Sequence, residues 1–554
     1  MDYVPPLRDY TFLLRDAFGR DIVADATGGA VTAEDAADIL AGAGEFATDV
    51  LAPLDRLGDQ EGVRLENGQA QLPAGFAEAY RAFAEAGWVS AVAPESAGGD
   101  GLPSSIQAAL GEMWNGANAA FALCWMLSAG AIHALGEMGS EELRARFLPK
   151  LVSGEWTGTM NLTEPQAGTD LGAITTSATP REDGTWGIRG QKIFITWGDH
   201  DVADNIVHLV LARTPDAPAG SRGLSLFLVP RTLVNPDGTL GARNAVETVA
   251  VEHKLGIHAS PTCVLAYEDA ASYLVGERHG GLQAMFLMMN SARVGMGHQA
   301  TGIAERATQK AAAYAAERLQ GSVLGRPDGT PIAGHPDVAR LLRSMATQVF
   351  AMRALSVYVG DLFDRAATDA AVLPLAEFFV PILKGWTSEE TLRVTSEAVQ
   401  VHGGMGFIEE TGIAQHYRDA RIVPIYEGTT AIQANDLVGR KLLRNAGETA
   451  AQLFAQIDAT LSTATGPAAD ALRRALSTAR AATDAVLSFG EGSRDAYAVS
   501  VPYLMLLGTL AGGWMHVLAA SADADRSADA AFYAAHHLPR VHALAETVAA
   551  GELA

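Results

Sequence analysis

The chain has 554 residues, a formal net charge of −24, a pI near 4.9 and 48% hydrophobic residues. This length predicts roughly three or four domains, and the balance of apolar and charged residues excludes a disordered chain. Because so acidic a surface repels phosphates, the charge also argues against a nucleic-acid partner.

The first residues carry no sign of a targeting segment. Residues 1–9 lack the basic-then-apolar order of a signal peptide and are too acidic for a transit peptide, which favours a cytoplasmic protein. The two cysteines, Cys124 and Cys263, lie in apolar runs and predict small buried side chains in a reducing compartment. They exclude a disulfide framework and a cysteine zinc site.

Residues 1–157 are predicted to form an N-terminal helical domain. Apolar residues recur at helical spacing over residues 33–46, 75–86 and 140–151. Residues 105–134 are apolar almost all round, which predicts a pair of helices in a core.

The pattern changes after Trp156, and residues 158–280 are predicted to form a small β domain. Its expected strands are short apolar or alternating runs bounded by Gly, Pro, Asn or Asp. They cover residues 186–196, 206–212, 224–229, 246–251 and 262–267.

Helical spacing returns at Gly281, which predicts a third domain over residues 281–445 and a C-terminal helical domain over residues 446–554. Between Asp495 and Asp523 there is no charged residue, and this run is long enough to span a bilayer. Pro and Gly interrupt it without a flanking basic cluster, which favours a buried bundle helix over membrane contact. The predicted fold class is mostly α with a central β domain.

Three stretches combine residue types that suit ligand chemistry. Residues 160–171 form a loop in which Thr163 and Thr169 offer hydroxyl groups for phosphate oxygens or a heteroaromatic edge. In residues 192–199, Phe194 and Thr196 lie on one face of a strand, which suits a flat ring. Taken alone, the first stretch is more simply a turn between elements, and the second is explained equally well as a strand that ends in a turn.

The third stretch covers residues 422–433. Thr430 and Gln433 are predicted to form a capping box that begins a helix, and Glu427 lies just before it after an apolar run. Partial desolvation there would raise the pKa of this carboxyl toward that of a useful base. Taken alone, a solvated loop glutamate is the commoner case.

Together these stretches resemble the acyl-CoA dehydrogenases over about residues 35–445. Thr163-Glu-Pro-Gln-Ala-Gly-Thr-Asp170 is similar to the family's flavin loop, and Lys192-Ile-Phe-Ile-Thr196 to its second flavin segment. Gln400-Val-His-Gly-Gly-Met-Gly-Phe407 is similar to its Gly-Gly cofactor motif, and Tyr426-Glu-Gly-Thr429 to its catalytic segment. The order and spacing of the motifs agree with the family as well. The fold expected from this resemblance is a helical bundle, a β-barrel-like domain and a second helical bundle, here with an extra C-terminal helical domain.

The resemblance implies FAD as cofactor, an acyl-CoA thioester as substrate, and no metal. The implied cofactor residues are Leu162, Thr163, Thr169, Phe194, Thr196, Arg318, Gln400, Gly403, Gly404 and Thr429. Arg318 and the Gln400 motif would bind the ADP half of a FAD held by a neighbouring subunit, which implies a homodimer or a dimer of dimers. The implied substrate residues are Thr169, Asn290, Arg293 and Gly428, and the implied catalytic base is Glu427.

Some positions depart from the family pattern. Gly321 and Ser322 stand where the family has Phe-Gly, and Asn290 stands where short members often have Asp. His258 replaces a frequent Arg, and Ala431 replaces a usual Gln. None of these departures affects Glu427.

The reaction implied by the resemblance is α,β-dehydrogenation. Glu427 would take the α-proton while flavin N5 accepts the β-hydride, which yields trans-2-enoyl-CoA, and the electrons would pass to an electron-transferring flavoprotein. Residues 3–9 and the tail after residue 445 resemble a larger bacterial branch that includes enzymes for 3-methylthiopropionyl-CoA. The acyl group therefore stays open between that thioether and a short or medium chain. Two alternatives remain: an oxidase of the same fold, and a flavin-binding protein without dehydrogenase activity, like a DNA-binding alkylation-response branch. The net charge of −24 and the intact Glu427 argue against the second.

Other motifs give weaker signals. The sequence spacing of His298, His402 and His416 does not match that of a metal-ligand pair, and a Gly-x-Gly-x-x-Gly motif after a strand is absent from the sequence. Tyr426 is more simply explained as a packing neighbour of Glu427 than as an acid.

Overall fold

A computed structural model describes residues 3–552, and residues 1–2 and 553–554 lie outside the described part. The chain divides into two compact units. The first comprises Met1–Asp49, Pro103–Ala117 and Arg293–Ala554, and the second comprises Val50–Leu102 and Asn118–Ala292.

Helices account for most of the first unit and also occur in the second. In chain order they are α1 Leu7–Arg15, α2 Ile22–Thr27, α3 Ala33–Phe46, α4 Ala52–Glu61, α5 Phe76–Glu85, α6 Ser104–Met138, α7 Glu141–Val152, α8 Gly281–Glu317, α9 Pro336–Ala366, α10 Leu373–His402, α11 Ile413–Ala420, α12 Thr430–Asp436, α13 Glu448–Thr463, α14 Pro467–Phe489, α15 Arg494–Ala498, α16 Ser500–Ala522, α17 Ser527–His536 and α18 Arg540–Ala550. Helix α6 has a non-helical residue, Asn118 (φ −159°), so it consists of two segments, in agreement with the predicted helix pair.

All the described strands belong to the second unit. They are β1 Arg64–Glu66, β2 Gln69–Gln71, β3 Trp156–Asn161, β4 Ser177–Pro180, β5 Trp186–Thr196, β6 Asn205–Arg213, β7 Leu224–Pro230, β8 Thr232–Val234, β9 Leu240–Arg243, β10 Val246–Val251 and β11 Thr262–Val275.

Seven strands make one sheet that closes on itself. The pairings run β11–β5–β4–β6–β7 and back to β11, with β10 and β3 added at the edges. Inward-facing side chains such as Ile188, Phe227 and Tyr267 fill the interior and are fully buried. The closed ring of five strands forms a rigid frame for the loops at its ends.

Helix α16 contains most of the charge-free run between Asp495 and Asp523. It and two other helical stretches, Ser104–Met138 and Ala370–Phe407, are long and apolar enough to cross a membrane, judged by length and composition. The apolar window of α16 is 83% buried inside the protein. This burial supports the interpretation of α16 as a core helix.

Candidate functional site

The loop after β3 in the second unit is organised by a buried ion pair. Lys192 Nζ, on β5, donates hydrogen bonds to Glu164 Oε1 at 2.8 Å and to the Leu162 carbonyl at 2.9 Å. Both charged side chains are buried. The lysine therefore joins the strand to the loop at the two residues that flank Thr163.

Glu164 also binds the far end of this loop, at Thr175 and Thr176. Its carboxylate accepts hydrogen bonds from the backbone N–H and the hydroxyl of both Thr175 and Thr176. Burial alone would raise the pKa of Glu164, but Lys192 and these hydrogen bonds outweigh it and lower the pKa to about 2. The carboxylate thus stays ionised and holds the loop in one conformation.

A β-bulge presents Phe194 at the end of β5. The pairing of β5 with β11 shifts register between Lys192 and Ile195, and Phe194 takes a left-handed backbone conformation with φ +59°. Phe194 is 59% exposed, while Ile195 beside it is buried. Phe194 and the half-buried Thr196 flank Ile195, so an aromatic face and a hydroxyl lie together on the outside of the strand.

These second-unit residues fit a flavin ring. Leu162 is buried, Thr163 is half-buried, and the Thr163 carbonyl accepts the N–H of Ile193 at 2.9 Å, so the loop and β5 form one continuous surface. Thr169 is exposed farther along the loop. Asn290, on α8, is half-buried in the same unit.

The residues expected at the ADP half of FAD lie on the surface of the first unit. Arg318 directly follows α8, and Gln400 lies in the last turn of α10; both are exposed. Gly403 (φ +58°) ends α10, and a side chain at Gly403 or Gly404 would meet no other atom within 4 Å. Such an open glycine pair permits close approach of a ligand to the backbone.

The catalytic segment forms a turn that ends in α12. Thr429 is the N-cap, and its hydroxyl accepts the N–H of Ile432 at 3.3 Å. The predicted capping box of Thr430 and Gln433 is therefore wrong. The Thr430 hydroxyl donates instead to Glu389 Oε1 at 2.6 Å, and the Gln433 amide donates to the Glu427 carbonyl at 3.0 Å.

Glu427 itself is half-buried and has an uncommon backbone conformation, with φ +55°. Burial raises the pKa of its carboxyl above the ordinary value, and the charges of Arg293 and Lys384 offset only part of this rise. Arg293 lies on α8, buried, with Nη1 3.7 Å from Asp436 Oδ2. The carboxyl thus combines partial desolvation with two nearby cations, which suits a general base.

Neighbouring polar groups take structural roles. The Tyr426 hydroxyl donates to Gln299 Oε1, and burial raises the pKa of Tyr426 above its ordinary value, so this phenol stays neutral. Burial lowers the pKa of His298 to about 4, and His402 stacks on Tyr314 with ring centroids 4.3 Å apart. Within residues 3–552, no group of three or more His, Cys, Asp or Glu side chains is arranged to hold a metal ion.

Four domain families cover most of the chain. Residues 33–155, 159–270 and 279–443 match the N-terminal, middle and C-terminal domains of acyl-CoA dehydrogenase, and residues 453–554 match the acetyl-CoA dehydrogenase C-terminal-like domain. A 3-methylmercaptopropionyl-CoA dehydrogenase from Ruegeria pomeroyi is 48% identical over 96% of this chain and 94% of its own length. The chain belongs to the acyl-CoA dehydrogenase family.

Other members of the family extend the comparison. A broad-specificity linear acyl-CoA dehydrogenase from Mycobacterium tuberculosis is 35% identical, with 86% of this chain and 85% of that protein covered. The crystal structure of a Bacillus anthracis acyl-CoA dehydrogenase complexed with FAD has a TM-score of 0.77 at 23% identity, with 97% and 92% coverage. The expected family, fold class and oxidoreductase function are confirmed.

In this acyl-CoA dehydrogenase, the predicted residues fall into two groups. Leu162, Thr163, Thr169, Phe194, Thr196 and Asn290 belong to the second unit, and Arg293, Arg318, Gln400, Gly403, Gly404, Glu427, Gly428 and Thr429 belong to the first. Sequence reasoning missed the organising roles of Glu164, Lys192, Lys384 and Gln433. A charged residue inside an otherwise apolar stretch, as at Lys384, was the available signal for such a role.

Proposed function

We propose that this acyl-CoA dehydrogenase binds FAD and converts an acyl-CoA thioester to the trans-2-enoyl-CoA, with Glu427 as the base. Glu427 takes the α-proton of the substrate and becomes a neutral carboxylic acid. When bound, FAD supplies the two-electron acceptor for the hydride that leaves the β-carbon. The observation that carries this proposal is the half-buried Glu427, on whose carboxyl the charges of Arg293 and Lys384 act. The residue lies in the part of the chain that matches the family's C-terminal domain.

The protein's own residues prepare each part of that step. Lys192 and Glu164 hold the loop at Leu162 and Thr163, and the bulge exposes Phe194 for stacking on a flat ring. Arg293 supplies positive charge near Glu427, which favours the carboxylate form needed before proton transfer.

We also propose a short thioether, 3-methylthiopropionyl-CoA, as the preferred acyl group. The Ruegeria pomeroyi relative named for that substrate aligns along nearly the whole of both chains, including the C-terminal domain. A panel of straight, branched and thioether acyl-CoAs of matched length tests this preference through kcat/KM. A straight-chain substrate with the highest kcat/KM would contradict it.

A homodimer or dimer of dimers, an electron-transferring flavoprotein as acceptor and a cytoplasmic location complete the proposal. The exposed glycine pair and Arg318 support a cofactor shared with a second subunit. Slow reaction of the product-bound reduced enzyme with oxygen is expected for a dehydrogenase, whereas rapid peroxide formation during turnover would indicate an oxidase.

The decisive experiment is Glu427→Gln in the FAD-loaded protein. Glutamine keeps the size of the side chain but cannot accept the proton, so flavin reduction by acyl-CoA should slow by about 10²-fold or more. FAD content and acyl-CoA affinity should stay close to those of the wild type. Glu409→Gln is the control, because Glu409 is exposed and pairs with Arg418. Wild-type reduction kinetics in Glu427→Gln would show that another residue is the base.

A further inference from the structure

Lys384 is a fully buried lysine on α10. Its ammonium group donates to the Gly428 carbonyl at 2.7 Å, at the residue that follows Glu427. Burial lowers the pKa of Lys384 to about 8, although the charge of Glu427 opposes this shift. A buried ammonium group is costly, so its place beside the proposed base calls for a function.

The turn that Lys384 contacts is strained. Glu427 and Gly428 both have left-handed backbone conformations, with φ +55° and +89°. For a non-glycine residue such a conformation persists only where the surroundings impose it. Lys384 and Gln433 supply that restraint, because the Gln433 amide donates to the carbonyls of Glu427 and Gly428 at 3.0 and 3.4 Å.

Lys384 also contributes charge to the Glu427 carboxyl. Arg293 and Glu389 also act electrostatically on Lys384, and Asp436 and Arg440 in turn act on Arg293. Arg293 and Arg440 both interact with Asp436, and Glu389 accepts the Thr430 hydroxyl. Lys384 therefore both donates a hydrogen bond to the turn and acts electrostatically on its carboxyl.

We propose that Lys384 is a positioning residue for Glu427: its hydrogen bond to Gly428 holds the strained turn, and its charge keeps the carboxyl ionised before the α-proton is taken. This inference rests on the proposed role of Glu427. Loss of the charge should raise the pH at which Glu427 becomes active, and loss of the hydrogen bond should misplace the carboxyl.

Three variants separate the two contributions. Lys384→Met removes the charge and the donor, Lys384→Gln removes the charge but keeps an N–H donor, and Lys384→Arg keeps both. The rate of flavin reduction by saturating acyl-CoA is measured against pH by stopped-flow, together with FAD content and acyl-CoA affinity. Lys441→Met is the control, because Lys441 also pairs with a residue of α10, Glu377.

The reduction rate should rise with pH as Glu427 loses its proton, and this rise is the ionisation limb of the profile. In Lys384→Met and Lys384→Gln the limb should move to higher pH by about 1 unit, because a nearby cation no longer stabilises the carboxylate. The limiting rate above the limb should fall about tenfold in Lys384→Met and less in Lys384→Gln. Lys384→Arg and Lys441→Met should keep the wild-type limb, and acyl-CoA affinity should change little.

An unchanged limb in both Lys384→Met and Lys384→Gln would overturn the inference. If Lys384→Met fails to retain FAD, the comparison of Lys384→Gln with Lys384→Arg decides instead. Failure of the proposed function looks different, because the wild-type flavin would then not be reduced by any acyl-CoA, or Glu427→Gln would be reduced as fast as the wild type.

Discussion

Lys192 and Glu164 form an ion pair shielded from solvent, with 2.8 Å between Nζ and Oε1. The pair ties β5, which carries Phe194, to the loop that carries Thr163. Since the carboxylate also binds Thr175 and Thr176, one charged group holds together a loop of a dozen residues. Breaking a buried pair by removal of one charge leaves the other unpaired, which is strongly unfavourable.

Glu164→Gln should therefore lower the stability of the holoenzyme and weaken FAD binding. We expect a lower melting temperature, since each kcal/mol of lost stability lowers Tm by about 2–4 °C in a domain of roughly 150–250 residues and by less in a larger cooperative unit. Thermal unfolding and the flavin absorbance of purified protein measure both effects. Glu182→Gln, at an exposed position in the same unit, should behave like the wild type. Undiminished FAD affinity in Glu164→Gln would show that the loop does not need the pair.

The same pair predicts a dependence on pH. The pKa of Glu164 falls from 4.5 to about 2 on folding, so its stabilising contribution is complete above pH 4.5 and is lost as pH falls toward 2. The difference in unfolding free energy between the wild type and Glu164→Gln should shrink over that interval. Urea unfolding of both proteins above and below pH 4.5 tests this expectation. A constant difference across the interval would contradict the depressed pKa.

Local pattern identified most elements because their ends carry recognisable residues. Helix α3 and strands β5 and β10 have the predicted limits, and Thr32 caps α3 with a capping box. Strand β3 was missed because five of its six residues are buried, so its sequence shows no alternation. The predicted strand over residues 262–267 was too short, since β11 continues to Val275 through a bulge near Asp269.

The site likewise has features that local sequence predicts and features that it does not. Motif spacing predicts the roles of Glu427 and of the proposed flavin segments, but the groups that hold these segments lie far away in sequence. Lys192 is 28 residues from Glu164, and Lys384 is 44 residues from the carbonyl it binds. Such pairs depend on the tertiary fold, so no local pattern reveals them.

The strained turn leads to a prediction for Gly428. A Cβ at this residue would lie 2.8 Å from Gln433 Nε2 and 3.2 Å from Ile432 Cγ2, at φ +89°. Gly428→Ala should displace Glu427 and slow flavin reduction at least about tenfold, while FAD stays bound. Gly29→Ala is the matched control, because Gly29 has φ +84° but open space around it. Equal reduction rates in both variants would mean that the turn tolerates the added methyl group.

The surface next to the glycine pair leads to a prediction about assembly. Phe407, five residues from the end of α10, is 89% exposed, and Met405 beside it is exposed as well. A large exposed ring next to the proposed cofactor residues would be buried if a second subunit packed against this surface. Phe407→Asp should shift the particle toward the monomer in analytical ultracentrifugation and lower its FAD content. Val249→Asp, at an exposed apolar residue of the second unit, should change neither, and an unchanged mass for Phe407→Asp would place the interface elsewhere.

Helix α16 provides the last prediction, which separates a core helix from a membrane helix. Gly508 packs against α10 so closely that a Cβ would lie 2.2 Å from Trp386 Cγ, and Trp386 is fully buried. Overpacking of this kind typically costs about 1–3 kcal/mol, because the indole or the helix has to move. Gly508→Ala should therefore lower the melting temperature, with FAD release as a second measure of damage.

The matched control is Gly136→Ala, at a helical position of α6 where a Cβ would meet nothing within 4 Å. There alanine should be neutral or stabilising by up to about 1 kcal/mol, since it favours a helix more than glycine does. If α16 instead left Trp386 to enter a bilayer, Gly508→Ala would be as harmless as Gly136→Ala. In that case the intact protein would also sediment with liposomes, whereas a core helix leaves it in the supernatant.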